Sequence, residues 1–492
     1  MRVSILGGGG FRVPLIARQL AASGLPVSEV VLYDTDPGRL AVIAAVLSGD
    51  TGHAGDPVLT AGAPADGTGA SRLGVATTTR LDEALHGTDV IFSALRPGGL
   101  DGRVSDERGA LALGLLGQET VGAGGLASAF RTVPVADAIA RRIAEIAPAA
   151  WVVSMTNPAG IVTEVMAAVL GPRVIGVCDS PVGLIRRACA ACGVDPGPSL
   201  GAVTDRVDAD YLGINHLGWL RSLRADGADL LPALLRDPDR LAGTEEGRLF
   251  GPDLLRALGT IPNEYVYWYY GNADARRDVL AAGRTRGEHV RERQRAFYAA
   301  AREATTGGDP GAAARLWQEA NEERNRSYFA ELRTGERAGE RDEADVAAGG
   351  YESVAVALAA ALCGGPAARL ILNVRSAGTV AALGPDTVIE VPCRVDAAGA
   401  VPLPVSAPSG HELGLMSAVR ACERDIAAAA LAAMRGTVAD GTAEEGGARA
   451  LALRAFATHP LVGSLDAART LAAAVLSTAH DPTNLTYRYS LI

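Results

Sequence analysis

Three things are scarce in this chain, and each scarcity excludes a class of protein. Cysteine is one: six residues scattered over 492 make no disulfide framework and suit a reducing compartment. Basic charge is another. A formal net charge of -10 argues against a nucleic-acid or anionic-membrane partner, because gripping a phosphate polymer needs a basic face. Long apolar runs are the third: no uninterrupted span could cross a membrane, and the apolar run of the opening MRVSILGGGG has strand length, too short for the apolar region of a signal peptide. The expectation is a cytoplasmic protein acting on a small molecule, with no nucleic acid and no membrane as partner. What is abundant is core material. At 48% apolar residues the chain is globular throughout, and it is too long for one compact core.

The stretch around which the rest is organised is VIGVCDSPVG, Val174–Gly183. Its apolar start reads as a buried parallel strand that delivers Cys178 and Asp179 to its carboxyl end, with Pro181 opening a helix. A soft metal ligand and an acid thus stand side by side where open α/β sheets keep their chemistry. Upstream, Arg2–Leu6 is an alternating strand that runs into Gly7, Gly8, Gly9 and Gly10, followed by Phe11 and a helical pattern. Strand, glycine turn and helix present backbone N–H groups to a pyrophosphate. The third glycine position of the dinucleotide fingerprint is occupied by Arg12. A second strand, Val30–Asp34, ends in an acid placed for the ribose hydroxyls, and an acid there selects NAD over NADP.

Other features are weaker one by one. The Gly/Ala/Pro-rich segment 51–74 reads as a surface excursion, and Glu336–Ala348 as a solvated charge run. Arg96 follows a strand and suits a phosphate or carboxylate as well as it suits an ordinary surface position. GLLGQETVGAGGL (Gly114–Leu126) reads as flexible segments around Glu119, ahead of an amphipathic helix over Arg131–Ala147. TNPAG after the strand Trp151–Met155 makes Asn157 a candidate contact for sugar or nicotinamide. DYLGINHLGWLRSL (Asp210–Leu223) reads as two short antiparallel strands with His216 near the join; thiolate plus imidazole would suit manganese, iron or zinc. Cys189 and Cys192 form a lone CxxC inside a helical pattern, read as helix packing. The tyrosines of IPNEYVYWYY read first as a packed aromatic stripe.

Taken in order, GGGG, LYDTDPGRL, RPGG, DERGALALGLLGQET, TNPAG, CDSP, GINHLGW, PNEY, TRGEHV, VIEVPC and HPLV resemble glycoside hydrolase family 4, the NAD- and metal-dependent 6-phospho-glycosidases. The similarity runs through nearly the whole chain, and the family is an exception to glycoside hydrolysis by a pair of carboxylates. The resemblance implies an α/β protein: an N-terminal Rossmann-like NAD-binding domain over 1–200 and a C-terminal α+β substrate-binding and oligomerisation domain over 201–492. It further implies Cys178 and His216 as ligands of Mn²⁺, Asp179 as proton donor with Glu119 as second choice, and Tyr265 as catalytic base. Arg96, Asn157 and Arg286 match substrate-binding positions, the arginines as clamps for a 6-phosphate. The implied reaction is oxidation at C3, deprotonation at C2, elimination of the aglycone and addition of water, on a phosphorylated disaccharide or glycoside, in a homodimer or homotetramer.

Two departures stand out. Ala94 occupies a position where relatives commonly carry glutamine, and Asp179 one where many β-linked members carry asparagine. The opening GGGGFRVPLIARQL looks more like the 6-phospho-β-glucosidase branch, and the chain as a whole is read that way. The alternatives are a 6-phospho-α-glucosidase or α-galactosidase of the same family, an NAD-dependent 2-hydroxy acid dehydrogenase, and a silent NAD-binding regulator.

Overall fold

The computed structural model describes residues 1–49, 59–61, 73–197, 203–204, 206–327, 350–436 and 442–478. Most of the 51–74 excursion and the whole of the 336–348 charge run lie outside the described residues. The first half builds strands β1 (Arg2–Leu6), β2 (Glu29–Tyr33), β3 (Leu59–Ala61), β4 (Leu73–Thr78), β5 (Val90–Ser93), β6 (Trp151–Ser154) and β7 (Val174–Gly176). They are parallel, in the order β3-β4-β2-β1-β5-β6-β7. Without the edge strand β3 this is the doubly wound dinucleotide-binding order, whose crevice opens where β1 and β5 diverge. The Rossmann-like expectation for the first half is met.

Period-two alternation explains the layering. Ile5, Val30, Leu32, Phe92 and Ile175 face one apolar cluster, together with helices α1 (Val13–Ala22) and α2 (Pro37–Ser48) and the later helix Tyr351–Leu362. Their neighbours Leu6, Val31, Tyr33, Ile91 and Val174 face a second, together with α3 (Leu81–Leu85), α5 (Gly122–Ile146, after α4 at Gly99–Ala112) and α6 (Ala159–Leu170). A parallel strand buried on both faces reads as a continuous apolar run, which is how these strands look in sequence.

The second half continues the same sheet. β7 pairs antiparallel with β12 (Ala368–Arg375), β12 with β13 (Val388–Asp396), and β13 with β8 (Asp208–Ile214). β8 pairs with β9 (Leu217–Ala225), which also carries the short β10 (Ala228–Asp229) and β11 (Ile261–Pro262), while β14 (Gly399–Pro402) lies on β13. β7 is therefore the seam between a parallel and an antiparallel wing. The helices Gly410–Gly436, Thr442–Thr458 and Leu465–Thr478 close a third cluster against α5.

One reading from the sequence is corrected. The glycine patch at 114–126 is not wholly a flexible segment: α5 begins at Gly122. A Cβ on Gly124 would lie 2.2 Å from the Gln118 carbonyl oxygen and one on Gly125 2.6 Å from the Thr120 carbonyl carbon, so these glycines permit a close crossing. The reading of the CxxC as helix packing stands. Cys189 is buried in α7 (Ser180–Ala191) and Cys192 caps its end, and burial pushes the Cys189 thiol up to about 12.

Candidate active site

The glycine turn shows how little space separates β1 from its neighbours. Gly7 has φ +85°, and a Cβ there would meet the Ala94 carbonyl oxygen at 2.4 Å. The Gly7 and Gly8 N–H groups donate to the Tyr33 carbonyl, at 2.9 and 2.7 Å. Asp34, at the end of β2, accepts the Gly9 N–H at 3.0 Å and the Asp36 N–H at 3.1 Å. Burial raises its carboxyl above the ordinary range against those two bonds. The acid anticipated for a ribose thus also braces the turn.

No local pattern foretells what lies over this turn. Tyr298 donates to the Gly9 carbonyl at 2.7 Å, and Arg39 donates to the same carbonyl at 3.2 Å and to the Tyr298 hydroxyl at 3.0 Å. Trp317 donates to the Phe11 carbonyl at 2.8 Å, and the Phe11 ring packs edge-on against Phe297 with centroids 5.3 Å apart. Phe11 is therefore a packing anchor by its side chain, and its backbone is what lies along the turn. Arg39 belongs to α2, while Phe297, Tyr298 and Trp317 belong to a helical hairpin, Arg286–Thr306 and Pro310–Arg326. Its first helix starts in a capping box between Thr285 and Glu288, which places Arg286 at the N-terminus.

The reacting groups converge at the seam. Cys178 and Asp179 follow β7, and the Asp179 backbone leads directly into α7. His216 occupies the β8–β9 turn with φ 65°, a left-handed conformation uncommon outside glycine and held by its surroundings. β11 pairs with β9 through Ile261↔Leu220 and Pro262↔Trp219. That pairing carries the following Asn263-Glu264-Tyr265 turn across the histidine. The Tyr265 and His216 rings lie parallel, 3.8 Å apart with 4° between planes. Burial pushes the His216 imidazole down to about 4, against the negative charges of Asp179 and Glu119. It is neutral near pH 7, and its buried Nδ1 has no hydrogen-bond partner among the described residues. Burial together with Glu390 and Asp179 pushes the Cys178 thiol well up.

The His216 imidazole is neutral with an orphaned nitrogen, and the charge of Asp179 acts on it; such a nitrogen is chemically suited to a divalent metal. Among the described residues no cluster of three or more His, Cys, Asp or Glu side chains suitable for a metal occurs.

Tyr265 lines a cleft that also has Glu119, Arg103, Arg284, Arg286 and Arg324 in its walls. Burial and the like charges of Arg12 and Arg286 pull Arg324 down to about 9, which marks a positively crowded pocket. Arg286 donates to the Ser327 hydroxyl at 2.9 Å and to the Arg324 carbonyl at 3.3 Å. Arg96 instead pairs with Glu119 at 2.8 Å, and Arg103 pairs with the other oxygen of Glu119 at 2.7 Å. Burial alone would raise Glu119, but Arg103 and Arg96 outweigh it and hold the carboxyl down to about 2. Asn157 sits after β6 at the same sheet edge, joined to Pro158 by a cis peptide bond.

Sequence reasoning missed Arg324 and Arg103, and it could not have separated them from other arginines. The chain contains no lysine, so all 46 of its basic side chains are arginine, and the residue type carries no contrast.

Two family models match the chain: family 4 glycosyl hydrolase over residues 2–193 and the family 4 glycosyl hydrolase C-terminal domain over 211–462. A probable 6-phospho-β-glucosidase of Bacillus subtilis (strain 168) is 30% identical over 297 residues, 58% of this chain, which spans 62% of that relative's length. Maltose-6'-phosphate glucosidase of the same organism is 25% identical over 437 residues, 84% of either chain. The structure of the 6-phospho-β-glucosidase of Thermotoga maritima with manganese, NAD⁺ and glucose-6-phosphate superposes with a TM-score of 0.72 at 22% identity, over 98% of both chains, a likeness of fold. With both halves matched in order and the doubly wound sheet in place, the chain belongs to the family 4 glycosyl hydrolases.

Proposed function

We propose that this protein hydrolyses 6-phospho-β-glucosides with NAD and Mn²⁺ as bound cofactors. The observation that carries the reading is the His216–Tyr265 stack with its orphaned imidazole nitrogen, set beside a cleft walled by arginine. A hydrolase has no evident need of a dinucleotide turn and a metal-fit donor pair together unless bond cleavage is coupled to transient oxidation of the sugar. When bound, NAD and Mn²⁺ supply a hydride acceptor and a Lewis acid. Cys178 and His216 would hold the metal; the imidazole is already neutral, whereas the thiol must lose its proton on binding.

Tyr265 is the base that takes the C2 proton. A free phenol has pKa about 10, so the base works near neutrality only with a cation beside it, which the ligand position of His216 against its ring provides. Asp179 donates a proton to the departing glycosidic oxygen. Glu119 is unsuited to that role, because two guanidiniums keep it ionised. Arg286 and Arg324 receive the 6-phosphate, and a dianion there relieves the crowding of like charge at Arg324. Arg96 acts on the same pocket through Glu119. The pyrophosphate is received at the N-terminus of the helix that follows the Gly7–Gly10 turn, and Asp34 takes the ribose. With this reading go a cytoplasmic setting and a homodimer or homotetramer.

The test is an assay with Mn²⁺ and NAD⁺ of p-nitrophenyl 6-phospho-β-glucoside beside its α-anomer and the unphosphorylated sugar. Release from the phosphorylated β-anomer, dependent on both cofactors and without NADH accumulating, is expected. A second reading, the α-linked substrate, is favoured by Asp at position 179 and by the length of the alignment with maltose-6'-phosphate glucosidase; release from the α-anomer would select it. Accumulation of NADH in proportion to turnover would make the protein a dehydrogenase instead.

A further inference from the structure

Beneath the seam runs a buried polar chain that none of the roles above uses. Glu390, fully buried in β13, stands in register with Asn373 of β12 on one side and Gly213 of β8 on the other, and Asn373 in turn with Gly176 of β7. The single registered pair at β7–β12 joins the antiparallel wing to the parallel one, and the one at β8–β13 joins the β12–β13 and β8–β9 pairs within it. Glycine is required on β7: a Cβ on Gly176 would lie 2.9 Å from the Asn373 Cβ and 2.4 Å from the Thr163 hydroxyl.

The Glu390 carboxylate accepts on both oxygens. Oε1 takes the Asn373 side-chain amide at 2.8 Å and, in a longer contact of 3.4 Å, that of Asn215. Oε2 takes the Tyr211 hydroxyl at 3.1 Å. Tyr211 accepts the Asn263 side-chain amide at 2.9 Å, and Asn263 Oδ1 accepts the Tyr265 backbone N–H at 3.1 Å. One arm therefore ends at the backbone of Tyr265. The other ends at Asn215, which precedes the strained His216, and at Asn373, which abuts the strand leading to Cys178.

We propose that Glu390 is a positioning residue that holds the Tyr265 turn and the His216 turn in register with each other, so that base and metal ligand keep their stacked geometry. The inference rests on the phosphoglycosidase reading for what the geometry is used for, and on the hydrogen bonds alone for its existence. Three donors converge on one carboxylate, an acceptor-only group when ionised, and it cannot be replaced by its amide. In Glu390→Gln one oxygen becomes an N–H donor: turned toward Asn373 it meets another amide donor, and turned toward Tyr211 it makes that hydroxyl accept from two amides and leaves its own proton without the carboxylate. A buried polar network left half satisfied loses more than one bond's worth of order.

The experiment compares wild type with Glu390→Gln and Tyr211→Phe by three readouts: Mn²⁺ titration, backbone amide hydrogen exchange at Tyr265, and kcat and KM on the phosphoglycoside that wild type cleaves. For Glu390→Gln the expectation is a cooperative melt like that of wild type, faster exchange at Tyr265, and a loss of about 10- to 100-fold in Mn²⁺ affinity and kcat, with KM changed much less. Tyr211→Phe cuts only the tyrosine arm and should lower kcat and speed exchange at Tyr265 while Mn²⁺ affinity stays at the wild-type value. A folded Glu390→Gln protein with wild-type exchange at Tyr265 and wild-type Mn²⁺ affinity overturns the proposal. So does Tyr211→Phe with wild-type exchange and kcat, should the glutamine variant fail to fold. If wild type cleaves no phosphoglycoside, the proposed function fails by itself, and exchange at Tyr265 still decides the role of Glu390.

Discussion

Gly7 is the smallest residue with the largest structural demand. Its positive φ and the 2.4 Å approach to a backbone oxygen leave no room for a methyl group, and neither β1 nor β5 can retreat without breaking the parallel ladder. Gly7→Ala should cost about 2 kcal/mol or more and abolish NAD⁺ binding, read by thermal melts and fluorescence titration; a variant with wild-type melting and affinity would show that the turn has slack. Arg324 makes the contrasting case, since its worth lies in charge. Arg324→Met keeps much of the length of the side chain and removes the charge, and should raise KM for the phosphorylated substrate by about tenfold or more with kcat less affected. An unchanged KM would place the phosphate elsewhere in the cleft. Cys178 and His216 stood out as candidates because cysteine and histidine are rare in this chain and follow strands, whereas Tyr265, one of a run of tyrosines, was singled out only by the family resemblance. Arg324 was lost among 46 arginines, and Glu390 inside an apolar strand looked like any charge awaiting a partner.

Among the elements, the helical hairpin Arg286–Thr306 and Pro310–Arg326 is what couples the arginine-walled cleft to the glycine turn. One end presents Arg286 and Arg324 to the cleft, and the body of the hairpin fastens the glycine turn through Tyr298 and Trp317. Trp317→Phe removes one donor and leaves the Phe11 carbonyl unsatisfied in an aromatic cluster, a loss of about 1 to 3 kcal/mol. Weaker NAD⁺ binding, by several-fold, should follow in a titration, although Trp317 lies behind the turn; unchanged affinity would make the hairpin a passive cover. Short-range signals made β1, its turn, β2 and β7 readable, because alternation and glycine are local. The hairpin's docking and the burial of Gly122–Gly125 in α5 depend on contacts between residues far apart in sequence, which no local pattern records.

Over the whole molecule, one sheet carries the glycine turn, Cys178, His216 and, through β11, Tyr265, and buried titratable groups tie stability to pH. His459 is an example remote from the seam. Burial pushes its imidazole down to about 4, and its Nδ1 accepts the Leu461 N–H at 3.1 Å, which requires the neutral ring. Because the folded value lies below the unfolded one of about 6.5, its contribution is complete above pH 6.5 and is lost as pH falls toward 4, at up to about 1.4 kcal/mol per pH unit. Melting curves of wild type and His459→Gln should therefore converge as pH is lowered from 7 to 5; parallel curves would mean that the histidine is not held neutral. No helix among the described residues is long and apolar enough to cross a membrane.

The fate of one proton decides between the redox route and its rivals. If Tyr265 removes hydrogen from C2 before the aglycone leaves, glucose 6-phosphate released in deuterium oxide should carry deuterium at C2 when read by mass spectrometry or proton NMR. Turnover that retains protium at C2 would contradict the assignment of Tyr265 as base and the redox route with it.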